Sequence, residues 1–292
     1  MGLRILLLGK NGQLGWELHR CLQPLGLVRA FDYPEIDLRD PASIRPLIRE
    51  IKPEVLVNAT AYTAVDRAES EDDLALQLNA EAPRVMAEEC TLLNCLLIHY
   101  STDYVFDGTK GSPYTEEDLP NPLNQYGRSK WIGEQGIQEV GGTYLIFRTA
   151  WVYSLRGESF VRKVLQWSRQ QETLRVVEDQ ISNPTWARML AEITALLLAR
   201  YSLAELAERK GLYHLAGDGY CSRYEWARAI LPLDPEPEGR LTRWLLPAKS
   251  TEFPTPARRP LFSALNCDRF VATFGLRLPP WQEALKLALD AL

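Results

Sequence analysis

No stretch of the 292-residue chain approaches the run of about 20 apolar residues that crosses a bilayer. The start, MGLRILLLGK, has a short apolar run but neither a basic leader nor a small-residue cleavage site, so no signal peptide is expected. There is no excess of positive charge: the net charge is −5, with no basic run, which argues against nucleic acid or an anionic membrane as partner. Cysteine is sparse. Cys21, Cys90, Cys95, Cys221 and Cys267 are scattered and form no CxxC pair, so free thiols in a reducing cytoplasm are expected. His19, His99 and His214 form no ligand cluster, and no metal site is expected from them. Repeats and low-complexity tracts are also missing. What remains is ordinary globular composition, 46% hydrophobic and 24% charged, at a length that suggests two domains.

The first half alternates buried strands with amphipathic helices. Strands are expected at Leu3–Leu8, Leu27–Phe31, Val55–Ala59, Cys95–Ser101 and Tyr144–Thr149. Helices are expected at Gly12–Leu22, at Pro41–Ile51 with Asp40 as N-cap, at Asp72–Leu93 with a break near Pro83, and at Asn124–Val140. Continuous apolar strands need cover on both faces, so the pattern predicts an α/β, Rossmann-type, doubly wound parallel sheet. Beyond residue 150 the pattern is irregular. Helices are expected at Ser159–Gln170 and Thr185–Ala199, strands at Leu174–Val177 and Leu212–Leu215, and proline-rich connectors at Pro232–Gly239 and Pro247–Pro260. The expected division is a dinucleotide-binding domain over 1–150, with about 184–215 returning to it, and a smaller α/β substrate domain over 151–292.

In such sheets ligands bind at the carboxyl ends of the strands, and the chemistry-bearing residues follow the strands here. Gly9-Lys10-Asn11-Gly12-Gln13-Leu14-Gly15 joins the first strand to the first helix. Glycines let the backbone turn and approach a pyrophosphate, which the helix N-terminus then attracts. Asp32 ends the second strand, where a carboxylate accepts from adenosine ribose hydroxyls and repels a 2′-phosphate, favouring NADH over NADPH. Tyr126 and Lys130, four residues apart, share a helix face. An ammonium near a phenol lowers the phenol's pKa and makes it a general acid for a carbonyl oxygen. Thr102, just after the fourth strand, places a hydroxyl at the same edge.

The GxxGxxG spacing, STDYVFDG at 101–108, PLNQYGRSKWIGE at 122–134 and LIFRTAWVYS at 145–154 resemble the extended short-chain dehydrogenase/reductase superfamily. Together with VNATAYTAVDRAES at 57–70, GLYHLAG at 211–217 and PTPARRP at 254–260, they resemble its dTDP-4-dehydrorhamnose reductase family over nearly the whole chain. The resemblance implies NAD(P)H-dependent reduction of a 4-keto nucleotide sugar. It places Gly12, Gln13 and Leu14 at the cofactor pyrophosphate, Asp32, Asp37 and Leu38 at the adenosine, and Ala61, Tyr62 and Thr63 along the cofactor. It makes Tyr126 the proton donor, sets Lys130 on the nicotinamide ribose, and puts Thr102, Asp103 and Trp151 at the sugar. Arg259 is in reach of the diphosphate, and Asn79 matches a helix asparagine near the active site. Some members hold Mg²⁺ through glutamates at a dimer contact. Glu17 matches one of these, but Arg188 and Gln282 stand where the others are expected, so neither metal nor that dimer is expected; a monomer or homodimer remains open. Two alternatives also stay open. One is another extended-family nucleotide-sugar reductase or epimerase. The other is a non-catalytic regulatory subunit resembling that of methionine adenosyltransferase. A 4,6-dehydratase is disfavoured because Thr102-Asp103-Tyr104 lacks the Asp-Glu pair.

Overall fold

The computed structural model describes residues 2–290. Six parallel strands form the central sheet: β1 (Leu3–Leu8), β2 (Gly26–Phe31), β3 (Val55–Asn58), β4 (Leu96–Thr102), β5 (Thr143–Thr149) and β6 (Gly211–His214). Their order across the sheet is β6-β5-β4-β3-β1-β2. The order reverses between β1 and β3, which opens a crevice at their carboxyl ends.

Alternation along each strand divides two apolar layers. Ile5, Leu7, Val57, Ile98 and Phe147 face one layer, with α1 (Gln13–Cys21) and α5 (Ala187–Arg200) packed over them through Leu18, Leu190 and Leu197. Leu6, Leu8, Leu56, Leu97 and Ile146 face the other, covered by α2 (Pro41–Ile51), α3 (Ala82–Leu93) and α4 (Gln125–Val140) through Ile44, Met86 and Ile137. The expected α/β class and parallel sheet are therefore present.

Three local differences have physical causes. The long helix from Asp72 breaks before Pro83 rather than at it: a π-helical turn spans Gln77–Glu81 and carries Asn79. Proline fits the first turn of the helix that follows, where its missing N–H costs nothing. The expected helix over Thr185–Ala199 starts at Ala187, because Thr185–Trp186 pairs with Val152–Tyr153. The proline-rich connector from Pro247 begins inside a strand, Trp244–Ala248, paired parallel with Thr173–Val177. That ribbon has only two strands, so Pro247 sits on an edge, where a strand tolerates proline. A second core of Tyr153, Val164, Trp186, Trp226 and Leu285 gathers the later helices beside the carboxyl edge of the sheet.

Candidate active site

Two glycines make the first turn possible. Gly9 has φ +90°, and a Cβ there would lie 2.9 Å from the Ala59 backbone. A Cβ on Gly15 would lie 1.8 Å from the Gly9 carbonyl oxygen, so α1 can enter this close to β1 only with glycine at 15. Gly12 meets nothing nearer than 3.5 Å and leaves its backbone open toward the crevice.

A cavity of about 450 Å³ runs along the strand ends. Gly12, Gln13 and Leu14 line it from the glycine turn, and Ala61 and Thr63 from the loop after β3. Thr102, Asp103, Tyr126, Lys130 and Trp151 line the rest, so these expected residues share one cleft. A second cavity of about 320 Å³, bordered by Asp32, Asp37 and Leu38, shares Thr60 and Ala61 with the first. Four expected residues act elsewhere. Gly9 shapes the turn. The Asn11 backbone N–H donates to Asp32 Oδ2 at 2.9 Å, tying the turn to β2. Tyr62 is held by Asn79, whose Oδ1 accepts from the Tyr62 N–H at 2.8 Å while its Nδ2 donates to the Ser129 hydroxyl at 2.9 Å. Asn79 thus locks the β3 loop to α4. Arg259 is committed to Asp66, to which it donates at 3.0 and 2.7 Å.

The side chains in the cleft depart from the expected electrostatics in one respect. Burial pushes the Tyr126 phenol up from its ordinary value, opposed by the Thr102 hydroxyl. The Lys130 ammonium is not the group that acts on it. Lys130 Nζ donates to the Tyr100 carbonyl at 2.7 Å and lies 3.2 Å from His99 Nε2. Burial lowers Lys130 itself to about 8. The phenol therefore stays protonated at neutral pH and has a proton to give, while the Thr102 hydroxyl is the neighbour that eases its release. Asp103 is buried and raised to about 6 by that burial; its Oδ2 accepts from Ser182 and Ser263, and its Oδ1 from Thr102 at 3.2 Å.

Sequence reasoning missed Arg223. Its guanidinium lies 3.7 Å from the centroid of the Trp151 ring and lines the cleft, yet no carboxylate among the described residues lies within 4.0 Å of it. The available signal was Ser222-x-x-Glu225, a capping box that starts a helix at Arg223 and aims it back at the sheet edge. Trp151 is held at φ +41°, a left-handed conformation unusual for a bulky residue, and stacks on Trp226 at 5.5 Å between ring centroids. The surrounding core fixes it there.

The cleft fits a nicotinamide dinucleotide. It has an open glycine turn at a helix N-terminus, and the buried Ser101 and Thr149 hydroxyls that line it have no partner. The residues near Glu17 do not fit Mg²⁺: burial raises the Glu17 carboxyl, and the charges of Arg188 and Arg20 already act on it. Among the described residues, no three metal-binding side chains are grouped.

Sheet, cleft and the Tyr126/Lys130 pair define the class: a Rossmann-type reductase of the extended short-chain kind. The model of the RmlD substrate binding domain family matches residues 3–292, and the chain belongs to that family. It is similar to the dTDP-4-dehydrorhamnose reductase of Burkholderia thailandensis, at 41% identity over 99% of both chains. The Escherichia coli K12 enzyme of the same name is also 41% identical, over 99% of this chain and 98% of its own. The crystal structure of dTDP-4-dehydrorhamnose reductase from Bacillus anthracis in complex with NADP superposes with a TM-score of 0.91, at 32% identity and full coverage of both chains.

Proposed function

We propose that this chain reduces the 4-keto group of dTDP-6-deoxy-L-lyxo-4-hexulose with NAD(P)H, giving dTDP-L-rhamnose. The observation that carries this reading is that the Tyr126 phenol shares one cleft with the open Gly12 turn and the Trp151 wall. A bound dihydronicotinamide supplies hydride to the sugar C4. Tyr126 gives its proton to the 4-oxygen as charge builds there. The Thr102 hydroxyl, which donates to Asp103 Oδ1 at 3.2 Å, also lies beside Tyr126 and favours its ionised form, so Thr102 positions the phenol and eases its loss of the proton. Lys130 and Tyr126 border the nicotinamide ribose. Gly12, Gln13 and Leu14 hold the pyrophosphate, and Ser154 N–H fixes Gln13 by donating to its Oε1 at 2.7 Å. Trp151 walls the sugar, Arg223 meets the diphosphate, and Arg259 supports the cleft through Asp66.

NADH is the better cofactor on this reading. Asp32 borders the adenosine cavity, and Lys10 and Arg39 are committed to other carboxylates, Lys10 to Glu35 and Arg39 to Asp37. No Mg²⁺ takes part, and one copy suffices, because the proposed groups all come from one chain; it works as a monomer or homodimer in the cytoplasm. Residues 1–150 with about 184–215 form the cofactor domain, and 151–292 mainly the substrate domain. The test is spectrophotometric. With the 4-keto sugar nucleotide present, absorbance at 340 nm falls on adding enzyme and NADH. No fall with either NADH or NADPH refutes the assignment.

A further inference from the structure

Three buried side chains form a line beneath the cleft: Asn58 on β3, His99 opposite it on β4, and Lys130 on α4. The orientation of the Asn58 amide is fixed from outside the line. Its Oδ1 accepts from the Thr60 backbone N–H at 3.0 Å and from the Thr60 hydroxyl. A backbone N–H only donates, so the oxygen faces Thr60 and Nδ2 faces His99. Nδ2 lies 3.0 Å from His99 Nδ1, which must therefore accept. A neutral imidazole with Nδ1 accepting carries its single proton on Nε2. That N–H points at Lys130 Nζ, 3.2 Å away. An ammonium has three donors and no lone pair, so a charged Lys130 meets His99 donor to donor. An amine both accepts from His99 and donates to the Tyr100 carbonyl at 2.7 Å.

We propose that His99 is a positioning residue that favours the uncharged amine of Lys130 by donating to it from Nε2, with Asn58 fixing the tautomer that makes this possible. The other groups around Lys130 leave this contact decisive. Glu134, on its own helix, favours the charge but is bound by Arg148 of β5 through contacts of 2.9 and 2.6 Å. From β4 come His99 and the Tyr100 carbonyl, and the Tyr126 phenol, Asp103 and Arg223 share the cleft. Burial already brings Lys130 down to about 8. A hydrogen bond made to the amine alone lowers it further. His99 is itself kept neutral chiefly by burial, whichever form Lys130 takes.

The consequence for turnover rests on the reductase reading. The phenolate left on Tyr126 after each reduction needs one proton back. Lys130 does not touch the phenol, so an ammonium with a weakened hold on its proton supplies it through a hydroxyl or water that bridges the two in the cleft, becomes the amine that His99 receives, and regains a proton from solvent.

The tautomer is directly measurable. The chain has three histidines, and the full-length protein labelled with ¹⁵N-histidine gives three ring patterns in a two-bond ¹H–¹⁵N correlation spectrum. His99 should show a protonated Nε2 and a bare Nδ1. His214 is the internal contrast, since its Nδ1 lies 3.1 Å from the Tyr114 carbonyl and must carry the proton. A proton on Nδ1 of His99 overturns the proposal, and this wild-type spectrum needs no variant to fold. In Asn58→Asp the carboxylate accepts from Nδ1 and turns the Nε2 lone pair to Lys130. The midpoint of the Lys130 titration, followed at its ε-carbon resonance, should rise by about one pH unit or more. An unchanged midpoint overturns the proposal too. Neither measurement uses a keto sugar, so their failure leaves the reductase assignment standing, and absence of NADH oxidation leaves this inference standing.

Discussion

Arg223 lies over the face of Trp151, its guanidinium carbon 3.7 Å from the ring centroid. Burial makes the cation costly and lowers its pKa; the indole face and the more distant charge of Asp103 offset part of that cost without a direct ion pair. An anion in the cleft repays the rest. Arg223→Met keeps the stacking bulk and removes the charge. Losing a charged hydrogen bond of about 1.5–3 kcal/mol should raise the KM for the sugar nucleotide roughly 10–100-fold, with kcat little changed. Arg259→Met should instead loosen the 255–259 segment and lower the melting temperature, because its partner is Asp66. Steady-state kinetics on both variants checks this. An unmoved KM in Arg223→Met excludes it from diphosphate binding.

Tyr126 carries the proton in the proposed reaction, and its ring is fixed by edge-to-face contact with Tyr104 at 5.8 Å. Tyr126→Phe keeps that contact and removes only the hydroxyl. Turnover should fall by about 10²–10⁴-fold while NADH affinity, measured by fluorescence titration, stays close to wild type. Wild-type turnover in the variant would show that another group is the acid.

Asp32 is braced as well as charged: it accepts from the backbone N–H groups of Asn11 and Tyr33 at 2.9 and 2.8 Å. Its charge borders the adenosine cavity, where a 2′-phosphate would meet it. The ratio of kcat/KM for NADH over NADPH should exceed one in the wild type and fall about tenfold in Asp32→Asn, mainly through KM for NADPH. An NADPH preference in the wild-type protein would sink the role given to this carboxylate.

The sheet was legible because its strands are apolar on both faces: Ile5-Leu6-Leu7-Leu8 has no other economical place to go. The cleft residues followed, since parallel topology brings the ends of β1, β3, β4 and β5 to one edge whatever the later chain does. What was hidden depends on side-chain reach and distant packing. The four-residue spacing put Tyr126 and Lys130 on one face, but a long flexible chain turns to the nearest buried acceptor, and Lys130 reaches Tyr100 instead of the phenol. Arg259 carries the same charge as Arg223, and only the fold shows that Asp66 pairs with the first while no carboxylate among the described residues lies within 4.0 Å of the second. The positive φ of Trp151 leaves no mark in the sequence, and the Trp226 and Arg223 side chains that pack on its ring come from a helix far along the chain.

Asp103 gives the protein a pH signature with a definite sign. Its carboxyl, ordinarily near 3.8, is raised to about 6 by burial, against the hydrogen bonds from Ser263, Ser182 and Thr102. Between those values the folded chain keeps a proton that the unfolded chain has released. The contribution to stability is therefore full below about 3.8 and is lost as pH rises through about 6. Asparagine at 103 keeps the size of the neutral acid, accepts from both serines through its oxygen and donates to Thr102 through its nitrogen. Asp103→Asn should thus be more stable than wild type at pH 7–8, by about 1–3 kcal/mol, with the difference vanishing near pH 4. Urea denaturation of both proteins across this range reads the difference. The same substitution releases the Thr102 hydroxyl proton from Asp103, so any limb near pH 6 in the wild-type kcat profile should be absent from the variant. A stability difference that stays flat from pH 4 to 8 would mean that the carboxylate is already ionised well below 6, and that its hydrogen bonds outweigh its burial.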